Sequence, residues 1–166
     1  MEHTYTVRHN FEYREILNEV MIEIAESEHG KMEFKGNIYT MVPLRLKTLR
    51  KHFGTKIELS TELLIDTEEK VLMKASIYLL SDVYPNDKYK LSDGYAEEKR
   101  GATFINQTSC IENCQTSAWG RALAGLGLMG DSSIASAEEL ATAIINQPPK
   151  KIKTITKEKN DVFGTK

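Results

Sequence analysis

The chain has 166 residues, 40% of them hydrophobic, and a formal net charge of -2. That is enough apolar material for one sizeable core, and nothing in the length calls for two folded domains. No apolar run approaches the roughly 20 residues that span a bilayer and the N-terminus lacks the apolar core of a signal peptide, which excludes a membrane partner and leads us to expect a cytoplasmic protein.

The near-neutral total hides an uneven distribution, which says more about partners than the sum does. Acids dominate from Glu12 to Glu28, where Glu12, Glu15, Glu19, Glu23, Glu26 and Glu28 stand against Arg14. From Lys31 to Lys56 the balance reverses, with Lys31, Lys35, Arg45, Lys47, Arg50, Lys51 and Lys56 against Glu33. A polyanion can follow such a track.

In chain order, Phe11 to Ala25 places Ile16, Leu17, Val20, Met21 and Ile24 on one face and glutamates on the other, an amphipathic surface helix with a solvated or an interacting acidic face. Gly36 begins a short extended piece, Asn37 to Thr40. A second helix follows, with Thr40 as its N-cap, Pro43 in the first turn and Gly54 at its end. Val42, Leu46, Leu49 and Phe53 form its core stripe, and Arg45, Lys47, Arg50, Lys51 and His52 spread over the rest, as a solvated face or a phosphate-contacting one. Two period-two runs, Ile57 to Leu63 and Val71 to Leu79, read as an antiparallel hairpin turning at Asp66 to Lys70. Beyond a polar loop with Pro85, Asn86 and Asp87, Tyr89 to Glu98 supplies a third strand with Leu91 and Tyr95. The class expected is α+β, an antiparallel meander of three to four strands packed on helices.

Gln107 to Gly130 reads as one long helix of small residues, started by Thr108 and Ser109 with Glu112 three positions after the serine, and closed at Gly127 and Gly130. Ala118, Ala122 and Gly125 share a face, so that face wants a tightly packed partner, a sheet. Gly120 and Gly125 each cost about 1 kcal/mol of helix propensity relative to alanine, which close packing or ligand approach would offset. Arg121, one turn after Thr116 and Ser117, makes a polar patch suited to phosphate or carboxylate, or else pairs with Glu112 or a glutamate of the first helix. Ser136 with Glu139 starts a short helix within Ile134 to Ile145, and Pro148 and Pro149 open a lysine-rich stretch too poor in apolar residues to fold alone. The expected organisation is one domain over 1–147 and a disordered basic tail over 148–166.

The chemistry implied is not catalytic. Cys110 and Cys114 lie one helical turn apart, while His3, His9, His29 and His52 are scattered without ligand spacing, so the thiols read as buried and structural. No Walker-type glycine loop, zinc signature or paired-carboxylate motif occurs, and no cofactor, metal or enzymatic activity is expected.

The order helix, short strand, helix, meander, helix, with Gly94-Tyr95 in the last strand and the run EN-x-x-TSA-x-GRALA-x-LG from Glu112 to Gly127, resembles the single-strand annealing proteins of the Rad-fifty-two superfamily, most closely their small phage-encoded members. The resemblance covers residues 36–130 in element order, and only the last helix carries a specific motif. The family's TD-x-x-KRAL-x-x-FG stands here as Thr116, Ser117, Gly120, Arg121, Ala122, Leu123, Leu126 and Gly127. It implies a ring or filament of subunits that holds the backbone of single-stranded DNA in a groove, bases outward, and anneals complementary strands in recombination. A phage exonuclease or a single-strand binding protein is the implied companion, and the location is the host cytoplasm. By that resemblance Arg45 and Arg121 contact DNA. The family's motif lysine is Gly120 here and a further basic position is Ala124; Arg50, Lys51, Lys99 and Arg100 are the cations expected to make up the deficit, Lys35 and Lys47 are further expected DNA contacts, and Tyr78, Tyr84, Tyr89, Tyr95 and Trp119 are available to stack on bases, Trp119 having core or subunit-contact packing as its other reading. A strand-coating protein without annealing activity and a protein-binding adaptor are the competing readings.

Overall fold

In the computed structural model, which describes residues 2–34, 36–81 and 87–129, the chain is α+β with two antiparallel sheets. Helix α1 (Glu2–Glu26) is longer than its amphipathic core predicts, and of that stripe Val20 and Ile24 are buried while Met21 is largely exposed. A hairpin follows, β1 (Lys31–Phe34) paired with β2 (Asn37–Thr40), turning at Gly36 with a φ of 80°. The first of these strands was not legible, because KMEF alternates too briefly to declare a period.

Helix α2 (Val42–Phe53) begins one residue later than expected: Met41 is the N-cap and makes no side-chain cap, and Thr40 ends β2 as a buried residue. Pro43 does occupy the first turn and Gly54 the end, at a φ of 56° that favours glycine. Then β3 (Ile57–Asp66), β4 (Lys70–Leu80) and β5 (Lys88–Lys99) form a meander in the order β3-β4-β5. The Thr67 hydroxyl closes the β3–β4 turn by accepting from the amides of Glu69 and Lys70. A bulge between Leu63 and Ile65 interrupts the first ladder.

The long helix starts after Ser109, one of its two expected capping residues, and a short helix that the sequence reading did not separate precedes it. Helix α3 (Phe104–Thr108) is capped by the Thr103 hydroxyl, which accepts from the Asn106 amide, and α4 (Cys110–Gly125) starts after a non-helical Ser109 with no side-chain cap. The break has a physical cause: the buried Asn106 side chain donates to Glu98 and to the Lys99 carbonyl and accepts from Asn113, which ties the corner to β5. A continuous helix would pull Asn106 out of that network. The C-terminus of α4 follows expectation at Gly127, whose φ of 86° lets its amide reach Ala124 O while Leu128 N reaches Leu123 O. Gly130, the helix expected from Ile134 and the tail over 148–166 lie outside the described residues.

Helix α4 packs on β5 and β4 with its small face inward, as the spacing of Ala118 and Ala122 requires. At Gly94 the two backbones nearly touch: a Cβ there would lie 2.4 Å from Ala122 N and 2.6 Å from Ala118 O. The core beneath joins Val71, Met73, Ala75, Ile77 and Ala96 of the sheet to Cys114, Ala118, Ala122 and Leu123 of the helix, with Val20, Ile24, Leu49 and Phe53 behind. Because α4 covers β4 and β5, the far end of β3 is left outside the core, and Leu63, in the same period-two run as the buried Ile57, is exposed. Replacing Gly94 by Ala is expected to destabilise the fold by about 3 kcal/mol, since backbone on both sides must shift. Thermal unfolding reads this directly, and an unchanged midpoint would show that helix and strand do not approach so closely.

Candidate nucleic-acid interface

The cations named from the sequence divide into three situations. Arg45 is not on the surface. It is 1% exposed, and its guanidinium donates to Gly120 O at 3.2 Å and Leu128 O at 3.1 Å, fastening α2 to the start of the GRAL segment and to the chain just past the end of α4. The expectation of a phosphate contact there gives way to a packing role. Its position shows why, since it falls three residues after Val42 and four before Leu49, on the core stripe itself.

Arg50 and Lys51 are exposed but engaged. Arg50 donates to Gly54 O and, at 2.6 Å, to Ile57 O, bridging the end of α2 to β3. Lys51 lies 2.7 Å from Glu23, and His52 lies 2.8 Å from the same carboxylate and 3.4 Å from Glu19. The Lys51 ammonium, followed by His52, holds the Glu23 carboxyl below the usual carboxylate range. Part of the acidic face of α1 therefore packs on the basic helix, supplying the opposite charge that α2 lacks in sequence. Arg100 is held by Asp66 and donates to Thr67 O.

The Lys47 and Lys99 ammonium groups are exposed and make no hydrogen bond or ion pair with another described residue. Lys35 lies outside the described residues. These cations do not form one cluster. Arg50 binds at the Ile57–Leu79 end of the sheet and Lys99 pairs with Lys70 at the other, an 11-residue strand apart, or about 30 Å.

What the fold does bring together is Arg121 and Tyr95. Gly94 lets α4 lie against β5, and from the next turn of that helix the exposed Arg121 donates to Tyr95 O at 2.7 Å. The Tyr95 ring is 49% exposed on the face of the sheet away from α4, and the Lys74 ammonium lies 5.6 Å from its centroid. Lys74 was not picked out from the sequence, because only the β4–β5 register, which sets Lys74 opposite Tyr95, reveals it. Along the same face Lys88 sits 4.5 Å from the Tyr78 ring. Lys70, Lys88 and Lys90 each pair with an acid, Glu97, Glu58 and Asp93. Those pairs raise the Lys88 and Lys90 ammoniums and lower the Asp93 and Glu97 carboxyls. Being exposed, they are weak and open to exchange for another anion. Tyr89 is largely exposed, and Tyr84 lies outside the described residues.

Both thiols are buried. Cys114 Sγ lies 3.2 Å from Ala96 O and 3.6 Å from Val71 O, and burial pushes its pKa up to about 11. The Cys110 thiol is raised for the same reason. Among the described residues no group of three His, Cys, Asp or Glu side chains is placed to hold a metal ion.

Arg45→Ala is expected to cost about 3 kcal/mol of stability, because two buried carbonyls lose their donor. A chemical denaturation curve measures it, and unchanged stability would return Arg45 to the list of ligand contacts. The raised Cys114 pKa means that the folded state holds its proton longer than the unfolded chain. That stability is complete below pH 9 and is lost as pH rises from 9 toward about 11. Unfolding midpoints across that window should fall less steeply for Cys114→Ala than for the native chain. Comparison of the chain with family models, with curated proteins and with solved structures yields no match.

Proposed function

We propose that the chain binds single-stranded DNA and anneals complementary strands, with a fold of the Rad-fifty-two type and no covalent chemistry. One juxtaposition carries the reading: Arg121 of the GRAL segment donates to the backbone carbonyl of Tyr95 at 2.7 Å, and the ring of that tyrosine lies 5.6 Å from the Lys74 ammonium. A fixed guanidinium, an exposed aromatic ring and an ammonium are the elements that a single strand requires, phosphate neutralisation and a stacking surface. Lys47 and Lys99 extend the positive surface beyond that centre.

The mechanism follows from what the surface offers, cations for the backbone and open rings for stacking. Strands bound this way keep their pairing edges free to test a partner. Because each contact is to phosphate or to a ring face, binding is indifferent to sequence and weakens with salt.

Two complementary labelled oligonucleotides should pair faster with the protein than without it at low salt, and the acceleration should fade as salt rises. Tight binding that blocks pairing would instead make this a strand-coating protein, and no binding would leave a protein-binding adaptor. Tyr95→Ala should weaken strand binding by about 1–3 kcal/mol. Arg121→Ala should lower the slope of log affinity on log salt by about 0.7 if it neutralises one phosphate. Normal affinity and slope in the double variant would remove this site from the reading.

A further inference from the structure

Helix α4 covers one side of the meander, and the other side carries a charge pattern of its own. Val71, Met73, Ala75 and Ile77 are buried toward the helix, so Lys70, Lys74 and Tyr78 of the same strand face the other way. The register puts Glu58 of β3 opposite Tyr78, and Lys90, Asp93, Tyr95 and Glu97 of β5 opposite outward positions of β4. Two rings stand on this open side, Tyr95 opposite Lys74 and Tyr78 farther along β4, about 13 Å away.

The two rings differ in what lies over them. Tyr95 is exposed, whereas Tyr78 is half-buried. Lys88 of β5 lies 4.5 Å from the Tyr78 centroid and 2.6 Å from Glu58 of β3, so this ion pair bridges the outer strands across the ring on the middle one. Lys90 is likewise held by Asp93 at 2.9 Å, and Lys70 by Glu97 at 2.8 Å. These ammoniums carry internal counterions, and an ammonium whose charge is already matched adds little to the attraction of a phosphate. All three pairs are exposed, so a phosphate can exchange for the carboxylate.

We propose that Glu58, Asp93 and Glu97 are built-in competitors of the DNA backbone. They hold the lysines of the open sheet face until phosphates displace them, and the Lys88–Glu58 bridge shields the Tyr78 ring until it opens. The inference rests on the strand-binding reading above and adds the regulation of that site. A strand gains each of these contacts by exchange with a carboxylate and loses it the same way, so it is held loosely and released readily.

Binding of a fluorescent oligothymidylate to the full chain, followed by anisotropy over a range of salt, tests this. Glu58→Gln, Asp93→Asn and Glu97→Gln together should tighten binding at low salt and steepen the fall of log affinity with log salt by about 2, roughly 0.7 for each released lysine. Adding Lys88→Gln and Lys90→Gln to that variant should remove about two thirds of the steepening. The same change in net charge made on and just after α1, by Glu15→Gln, Glu26→Gln and Glu28→Gln at exposed positions, should leave the slope unchanged. If the triple sheet variant is misfolded by circular dichroism, Glu58→Gln alone takes its place, with a slope steeper by about 0.7. Native binding that the folded sheet variants do not alter, or an equal gain from the α1 variant, would overturn this inference alone. No binding by the native chain or by any variant would overturn the strand-binding reading with it.

Discussion

At Gly94 the backbones of α4 and β5 come into close contact, and much of the structure follows from it. With no side chain at Gly94 and only methyl groups at Ala118 and Ala122, helix and strand approach until a Cβ would clash with main-chain atoms. The short distance leaves no room for large apolar side chains between them, so the thiols of Cys110 and Cys114 fill the space farther along and donate to strand carbonyls. Ser92, whose hydroxyl donates to Ala122 O, satisfies the helix on its other flank. It also explains Gly125, where an added Cβ would lie 2.4 Å from the Ser92 hydroxyl oxygen.

The same contact arranges the polar chemistry. A helix held this near to the edge strand can place Arg121 against a strand carbonyl, which fixes a cation beside an outward-facing tyrosine. One turn back, Ser117 donates to one oxygen of Glu98 while Asn106 donates to the other, so that the carboxylate organises the start of the helical region as the glycine organises its middle. On the far side, Arg45 reaches Gly120 O and Leu128 O and locks α2 to the helix. Gly125, unfavourable in a free helix, is thus explained by packing.

Charge in this chain is organised between elements more than along them. The basic stretch from Lys31 to Lys56 looks like a continuous track in sequence, yet in the fold Arg45 is interior, Arg50 serves backbone carbonyls and Lys51 and His52 meet glutamates of α1. The positive groups that remain outward lie at both ends of the sheet and around Tyr95. A surface of mixed, exposed ion pairs attracts anions weakly and reversibly.

Element type and order were legible in the sequence wherever a period repeats: the apolar stripe of α1, the alternation of β3 and β4, and the small-residue face of α4 that called for a sheet. Local chemistry also placed Pro43, Gly54 and Gly127, because fixed or left-handed dihedrals are properties of single residues. The tertiary structure alone decided the short helix α3 ahead of Ser109, which depends on Asn106 reaching Glu98 and Asn113, and the burial of Arg45, whose acceptors are 75 and 83 residues away. It alone placed Lys74 beside Tyr95 across a strand pair. Periodicity reports which face of an element is apolar, whereas the partner of a polar group is set by contacts between distant segments, and those exist only once the chain has folded.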